Sequence, residues 1–245
     1  KRPSVRQKEK RKNEMKKLML SAALAATLAG FGIESANVVG YLGKTMVTGF
    51  NAYTPMFTGI GTTSINIQNV KPIDDPGDMT TNIQLVGDDG NIPSTYVWLT
   101  EDASGFEDGW YNDDLELVDV TINPGQGFLI YTETDNLKVE VAGEVKIGDI
   151  NYINALGFNA IGNASPIDVD IQDIIPQDDP GDMTTNIQIV GADDNIPSTY
   201  VWLTEEASGF EDGWYNDDLE LVEATIVSGQ GFLLYTETNG LVVKI

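Results

Sequence analysis

Carboxylates set in tight turns are the side chains best placed to do chemistry in this chain, and the chemistry they suit is coordination of a hard cation. Asp74, Asp75 and Asp78 form one cluster, which returns 104 residues later as Asp178, Asp179 and Asp182. Asp113 and Asp114 lie in a second acidic run, which returns as Asp217 and Asp218. Asp88, Asp89 and Asn91 form a third, partly kept as Asp193, Asp194 and Asn195. Calcium takes about six to eight oxygens from carboxylates, amides and carbonyls, and acidic turns supply all three. These are therefore candidate Ca2+ sites. The sequence has no EF-hand loop and no nonapeptide calcium repeat. Asp is also a good turn residue that keeps an acidic surface solvated, so the plain turn reading stands beside the metal one.

The aromatic residues suggest a different chemistry. Trp110 and Tyr111, with their copies Trp214 and Tyr215, lie in polar, Gly-containing segments beside carboxylates and amides. Exposed rings can cover the C–H faces of sugars while neighbouring polar groups take the hydroxyls, so these four are candidate glycan-binding residues. The competing reading is core packing, where an aromatic side chain buries about 150–250 Å². Trp98, inside an apolar run, is expected in the core. Catalysis has little to work with. The chain contains no Cys and no His, which removes thiol nucleophiles, the commonest general base and the commonest transition-metal ligand. Paired carboxylates can cleave glycosides when held about 5–10 Å apart, but in so acidic a chain proximity alone carries no information. No nucleophile-elbow or phosphate-loop signature is present. No catalytic residue is assigned, and the chain reads as a non-enzyme.

The elements that must position these residues are duplicated. Residues 74–137 recur as 178–241, with 53 of 64 positions identical. The front parts have diverged: Gly49-Phe50-Asn51-Ala52 corresponds to Gly157-Phe158-Asn159-Ala160 at an offset of 108. A period of this length is that of a small domain rather than a solenoid repeat. The repeats run over 37–143 and 144–245 with no Ser- or Pro-rich linker between them. Two similar units could also meet head to tail between chains.

Both repeats read as all-β. Tyr96 to Thr100 and Phe128 to Thr132 are short runs of aromatic and β-favouring residues. Leu137, Val139 and Val141 alternate with Lys138 and Glu140, which suits a strand with one wet face. Asn123-Pro124-Gly125-Gln126 fits a type II turn; its copy, Val227-Ser228-Gly229-Gln230, loses Pro and keeps Gly, as a positive φ would require. Short strands with frequent turns predict two tandem, duplicated small domains, each a β-sandwich or β-barrel.

Residues 15–36 have the form of a secretory signal peptide. Met15-Lys16-Lys17 precedes the apolar stretch Leu18 to Gly30, which is shorter than the roughly 20 residues of a membrane span. Cleavage is expected after Ala36, or after Gly32. Residues 1–14 read as an untranslated upstream extension, with translation starting at Met15. Nine of the 14 Lys and Arg lie in residues 1–17; from Asn37 onward 5 Lys face 35 acids, a balance of 5 − 35 = −30. Such a surface repels nucleic acid and anionic lipid, so neither nucleic acid nor membrane insertion of the mature protein is expected.

Gly49-Phe50-Asn51, then Leu117-Val118 leading into Pro124-Gly125-Gln126-Gly127-Phe128-Leu129-Ile130, resembles a loose family. These are the Gly-Trp/Phe-Asn … Pro-Gly-x-Gly-Phe/Tyr β-repeat domains of secreted and surface-layer-type prokaryotic proteins. The second repeat carries the motifs at Gly157-Phe158-Asn159 and Gly229-Gln230-Gly231-Phe232. The resemblance implies a small β-domain on exported, mostly non-enzymatic proteins, and transfers no catalytic residue. The expected function is that of an exported structural or adhesive protein of the bacterial cell surface or extracellular matrix, calcium-stabilised and self-assembling. The alternative is a secreted protein that binds a surface glycan.

Overall fold

Apolar side chains two residues apart write most of the strands. The first repeat contains β1 (Val39–Met46), β2 (Gly49–Tyr53), β3 (Phe57–Thr58), β4 (Ile65–Asn66), β5 (Val70–Ile73) and β6 (Asp78–Leu85). It continues with β7 (Ser94–Leu99), β8 (Gly109–Tyr111), β9 (Thr121–Ile122), β10 (Phe128–Thr132) and β11 (Leu137–Val145). The second contains β12 (Asn151–Asn154), β13 (Gly157–Gly162), β14 (Val169–Asp170), β15 (Ile175–Gln177) and β16 (Asp182–Ile189). It ends with β17 (Ser198–Leu203), β18 (Gly213–Tyr215), β19 (Thr225–Ile226), β20 (Gly231–Thr236) and β21 (Leu241–Lys244). A single helical turn follows β7 and β17: α1 (Glu101–Ser104) and α2 (Glu205–Ser208). This is a computed structural model, and it describes residues 39–86, 94–145, 151–190 and 198–245. The signal-peptide segment and the cluster of Asp88, Asp89 and Asn91 with its copy lie outside the described residues.

The protein is all-β, and each repeat centres on an antiparallel five-stranded sheet. Its order is β2-β10-β6-β7-β8 in the first repeat and β13-β20-β16-β17-β18 in the second. The registers agree residue for residue. Tyr131 pairs with Asn82 and Leu129 with Gln84; Tyr235 pairs with Asn186 and Leu233 with Gln188. Even the β-bulge recurs, between Asp78 and Asn82 and between Asp182 and Asn186. A second sheet gathers around β11, which pairs β1, β3 and β5; around β21 in the second repeat, β12 and β15 take the equivalent places.

The core of the first repeat draws on both sheets. Met46, Val139 and Val141 meet Ile83, Trp98 and Ile130 in one cluster. A separate cluster fills the second repeat, where Leu241 and Val243 meet Ile187, Trp202 and Leu234. The alternation expected for β11 is observed: Leu137, Val139 and Val141 are buried while Lys138 is exposed. Trp98 belongs to the core, as its strand setting implied. Gly125 and Gly229 have φ of 80° and 73°, the conformation for which Gly was kept when Pro was lost.

Residues Val39–Ile245 form one compact unit, and the contact that joins its two repeats is reciprocal. Tyr53 bridges Gln230, and Ile161 bridges Gln126. Under the offsets of 108 and 104, these are the same pair with the repeats exchanged. Backbone bonds reinforce both sides: the Thr54 N–H donates to Gly229 O at 3.1 Å, and the Gly127 N–H to Ala160 O at 2.8 Å. Lys44 reaches the Gly229 carbonyl, while its positional equivalent Tyr152 packs on Gly125. Such an isologous contact closes on itself. It uses up both copies of the surface within one chain, so it does not propagate head to tail.

The approach is close enough to demand glycine. A Cβ on Gly231 would lie 2.6 Å from the Tyr53 nitrogen and 2.9 Å from the Ala52 carbonyl carbon, both backbone atoms that cannot swing away. Gly231→Ala is therefore expected to destabilise the protein by about 1–3 kcal/mol. Gly43→Ala, whose Cβ would meet nothing nearer than 4.0 Å, should be close to neutral. Chemical denaturation of the two variants checks this, and equal stability would contradict the interface.

Candidate functional site

The acidic turns are held by their own chain. Asp75 Oδ1 accepts the Gly77 N–H at 2.8 Å, and its Oδ2 accepts the Thr81 hydroxyl at 2.5 Å. Thr81 in turn meets Thr132, a second fully buried hydroxyl, at 2.9 Å. The second repeat duplicates the arrangement with Asp179, Gly181, Thr185 and Thr236. Asp75 and Asp179 thus satisfy buried hydroxyls that would be costly if left alone. Asp78 and Asp182 each accept a hydroxyl, from Thr80 and Thr184. Asp74 and Asp178 are exposed, with φ of 64° and 60°. Asp113, Asp114, Asp217 and Asp218 are exposed on the loops after β8 and β18, where the Asn112 and Asn216 side chains organise the turn. Among the described residues, no three acidic groups converge in a metal-holding arrangement.

The aromatic candidates require a correction. Trp110 and Trp214 are 0% exposed, and Tyr111 and Tyr215 are also buried. The Trp110 indole N–H donates to Val70 O at 2.7 Å, and its ring meets Trp98 edge-on at 5.2 Å. Its backbone is gripped by Gln68, whose Nε2 donates to the carbonyls of Trp110 and Val118 and whose Oε1 accepts the Trp110 N–H. Tyr111 donates its hydroxyl to Glu107 O. Burial, then the nearby Glu107 and Asp108 carboxylates, raise its pKa. The polar sequence around Trp110 had suggested exposure. Partners about 40 residues upstream, Gln68 and Val70, cover it instead. A ring with no open face cannot stack on a sugar, so these four side chains are structural.

The exposed counterpart is a face that sequence reasoning missed. The outer side of the five-stranded sheet carries a row running Phe50, Tyr131, Asn82, Val97 across four strands. A second row beside it runs Ala52, Leu129, Gln84, Thr95. Phe50 is exposed, the other seven side chains are half-buried, and none of the eight is charged. Phe50 and Tyr131 form a tilted pair with centroids 5.1 Å apart. Gln84 Nε2 donates to Asn82 Oδ1 at 3.3 Å. The second repeat presents the same pair, Phe158 and Tyr235 at 5.1 Å, and the same amides, Asn186 and Gln188. The signal was in the sequence: Gly-Phe-Asn-Ala is retained where the flanking residues have changed. Comparison of the chain with protein-family models, curated proteins and solved structures found no match.

The other chemically distinctive group is Lys44, at the contact between repeats. Its ammonium sits 5.7 Å from the Tyr53 ring centroid and donates to Gly229 O at 3.4 Å. Burial lowers its pKa from 10.5 to about 8. Between these two values the folded protein holds fewer protons than the unfolded chain, so stability rises with pH across that window. Below about pH 8 the buried ammonium is a standing cost. Burial shifts Tyr53 and Tyr152 upward, so neither ionises in the folded protein in that range. Lys44→Met should therefore raise the melting temperature at pH 7, with the gain shrinking as pH climbs from 8 to 9.5. Thermal melts across that range check it; a loss of stability at pH 7 that does not vary with pH would contradict it.

Proposed function

We propose that this is an exported, non-enzymatic protein of the bacterial cell surface or extracellular matrix, with a structural or adhesive role, built from two small β-sandwich domains. The observation that carries this reading is the reciprocal locking of two repeats of identical register. Each surface that the repeats share and that lies outside this contact is thereby present twice, in a fixed relation. A bivalent surface of this kind gains avidity on an extended or repetitive target without any change in either site. The core drawn from two sheets favours a sandwich over a barrel. The leader-like residues 15–36 and the resemblance to secreted β-repeat domains support export.

Calcium enters this reading through charge. At −30, copies of the mature chain repel one another, and a divalent cation shared between exposed carboxylates of neighbouring chains would screen that repulsion. Asp113, Asp114, Asp217 and Asp218 are free in position to serve there, since all four are exposed. Fractionation of the source cells should find the protein at the surface or in the medium, beginning just after Gly32 or Ala36. Light scattering of that material should show larger species with calcium than with chelator. Retention of the protein in the cytosol with residues 15–36 still attached would overturn export. A monomer of unchanged size in both buffers would overturn calcium-dependent assembly.

A further inference from the structure

From Asn37 onward the chain carries a net charge of −30, yet the two outer rows of each five-stranded sheet are built from uncharged side chains, with Glu237 at the edge of the second face. The composition is specific: one aromatic pair, Phe50 with Tyr131, and one amide pair, Asn82 with Gln84, flanked by Thr95. The strands place these groups side by side on a continuous hydrogen-bonded sheet, which holds them with little freedom to lose on binding. Phe50 is 37% exposed and Phe158 is 39% exposed, a cost in water that neither core packing nor a turn requirement explains.

The diverged front of the repeat shows which residues were kept. Between residues 43–57 and 151–165 only four of 15 positions are identical, and they are consecutive: Gly49 to Ala52, matching Gly157 to Ala160. Three of the four have structural reasons. Gly49 and Gly157 have φ of 99° and 97°. Asn51 and Asn159 each tie down the preceding turn through bonds to Val47 and Ala155. Ala52 and Ala160 lie at the contact between the repeats, through the backbone. Phe50 and Phe158 have no such structural reason; they are the large side chains of the four on the outer face, and each is paired with a Tyr on the neighbouring strand.

We infer that these two faces bind neutral polysaccharide, one chain segment on each. The chemistry fits on three counts. The aromatic rings offer apolar area for the C–H faces of pyranose rings. The amides of Asn82 and Gln84 and the hydroxyls of Thr95 and Tyr131 both donate and accept, as sugar hydroxyls require. Charge selects the class: polyanionic glycans are repelled by the surrounding carboxylates, including Glu237, whose Oε1 accepts the Tyr235 hydroxyl at 3.5 Å at the edge of the second face. This inference deepens the adhesive reading by naming its target, and it rests on that reading.

The test is native affinity electrophoresis of the full mature chain through gels containing a neutral polysaccharide (amylose, hydroxyethyl cellulose, xyloglucan or soluble β-1,3-glucan) or the polyanion polygalacturonate. Retardation is expected in at least one neutral gel and not in polygalacturonate. Phe50→Ala with Phe158→Ala should weaken it at least tenfold, and either change alone should weaken it less, because one face remains. Both side chains lie outside the core, so the melting temperature and the tryptophan emission from Trp98 and Trp110 should stay near wild type. Absence of retardation in every neutral gel would overturn the inference, as would retardation unchanged in the double variant or stronger in polygalacturonate. Surface location of the protein is measured separately, so a failure here leaves the export reading standing, and a cytosolic protein would fail that reading whatever the gels show.

Discussion

The two-fold contact between the repeats is the constraint on which the rest of the molecule depends. It is made by backbone, Tyr53 with Gln230 and Ile161 with Gln126, and it requires the two repeats to approach as closely as strands in a sheet. That approach explains the glycine at position 231. It also accounts for polar groups stranded beside it: the Tyr53 and Thr54 hydroxyls are buried without partners, and Lys44 carries its charge into the same region. These are costs of order 1–3 kcal/mol each for an unsatisfied group. The contact persists because it is made twice and because each side is anchored in a full core. The repeats share a fold but not a chemistry at this point, since Lys44 stands where Tyr152 stands in the second copy.

Within each repeat, two polar clamps hold the five-stranded sheet in shape. Gln68 fixes the backbone on both sides of Trp110 from 42 residues away. Asp75 holds the buried pair of Thr81 and Thr132 where β6 meets β10. Buried networks of this kind specify one arrangement when every member is satisfied. They keep the outer face regular, the property that the proposed bivalent binding surface needs. The residues that looked most chemical in the sequence therefore support the face, and less conspicuous ones occupy it.

The sequence disclosed what depends on local pattern. Phe128 to Thr132 form a strand with the same ends as the apolar run, β11 alternates as its residues do, and Gly125 and Gly229 adopt the positive φ that the loss of Pro implied. What it concealed depends on distant partners. Trp110 and Tyr111 sit in a polar segment, and nothing local says that Gln68 and Val70 will cover them. The retention of Ile67-Gln68 as Ile171-Gln172 in a changed stretch was the available sign. The outer face was equally concealed, because its rows cross four strands that are far apart in sequence and join only through the register. The contact between repeats could not be read at all: its two sides follow different offsets, 108 and 104, and meet only in space.

Because the chain lacks cysteine, that contact can be measured directly. Antiparallel bridge partners lie about 4.5–5.5 Å apart at Cα, within the range a disulfide spans. Replacing Gln126 and Ile161 with Cys places one thiol on each repeat at such a bridge. Mild oxidation should close the disulfide within single chains, with loss of both free thiols and no change in elution volume. Thiols that remain reduced, or that close only between chains, would show that the repeats do not meet in this way.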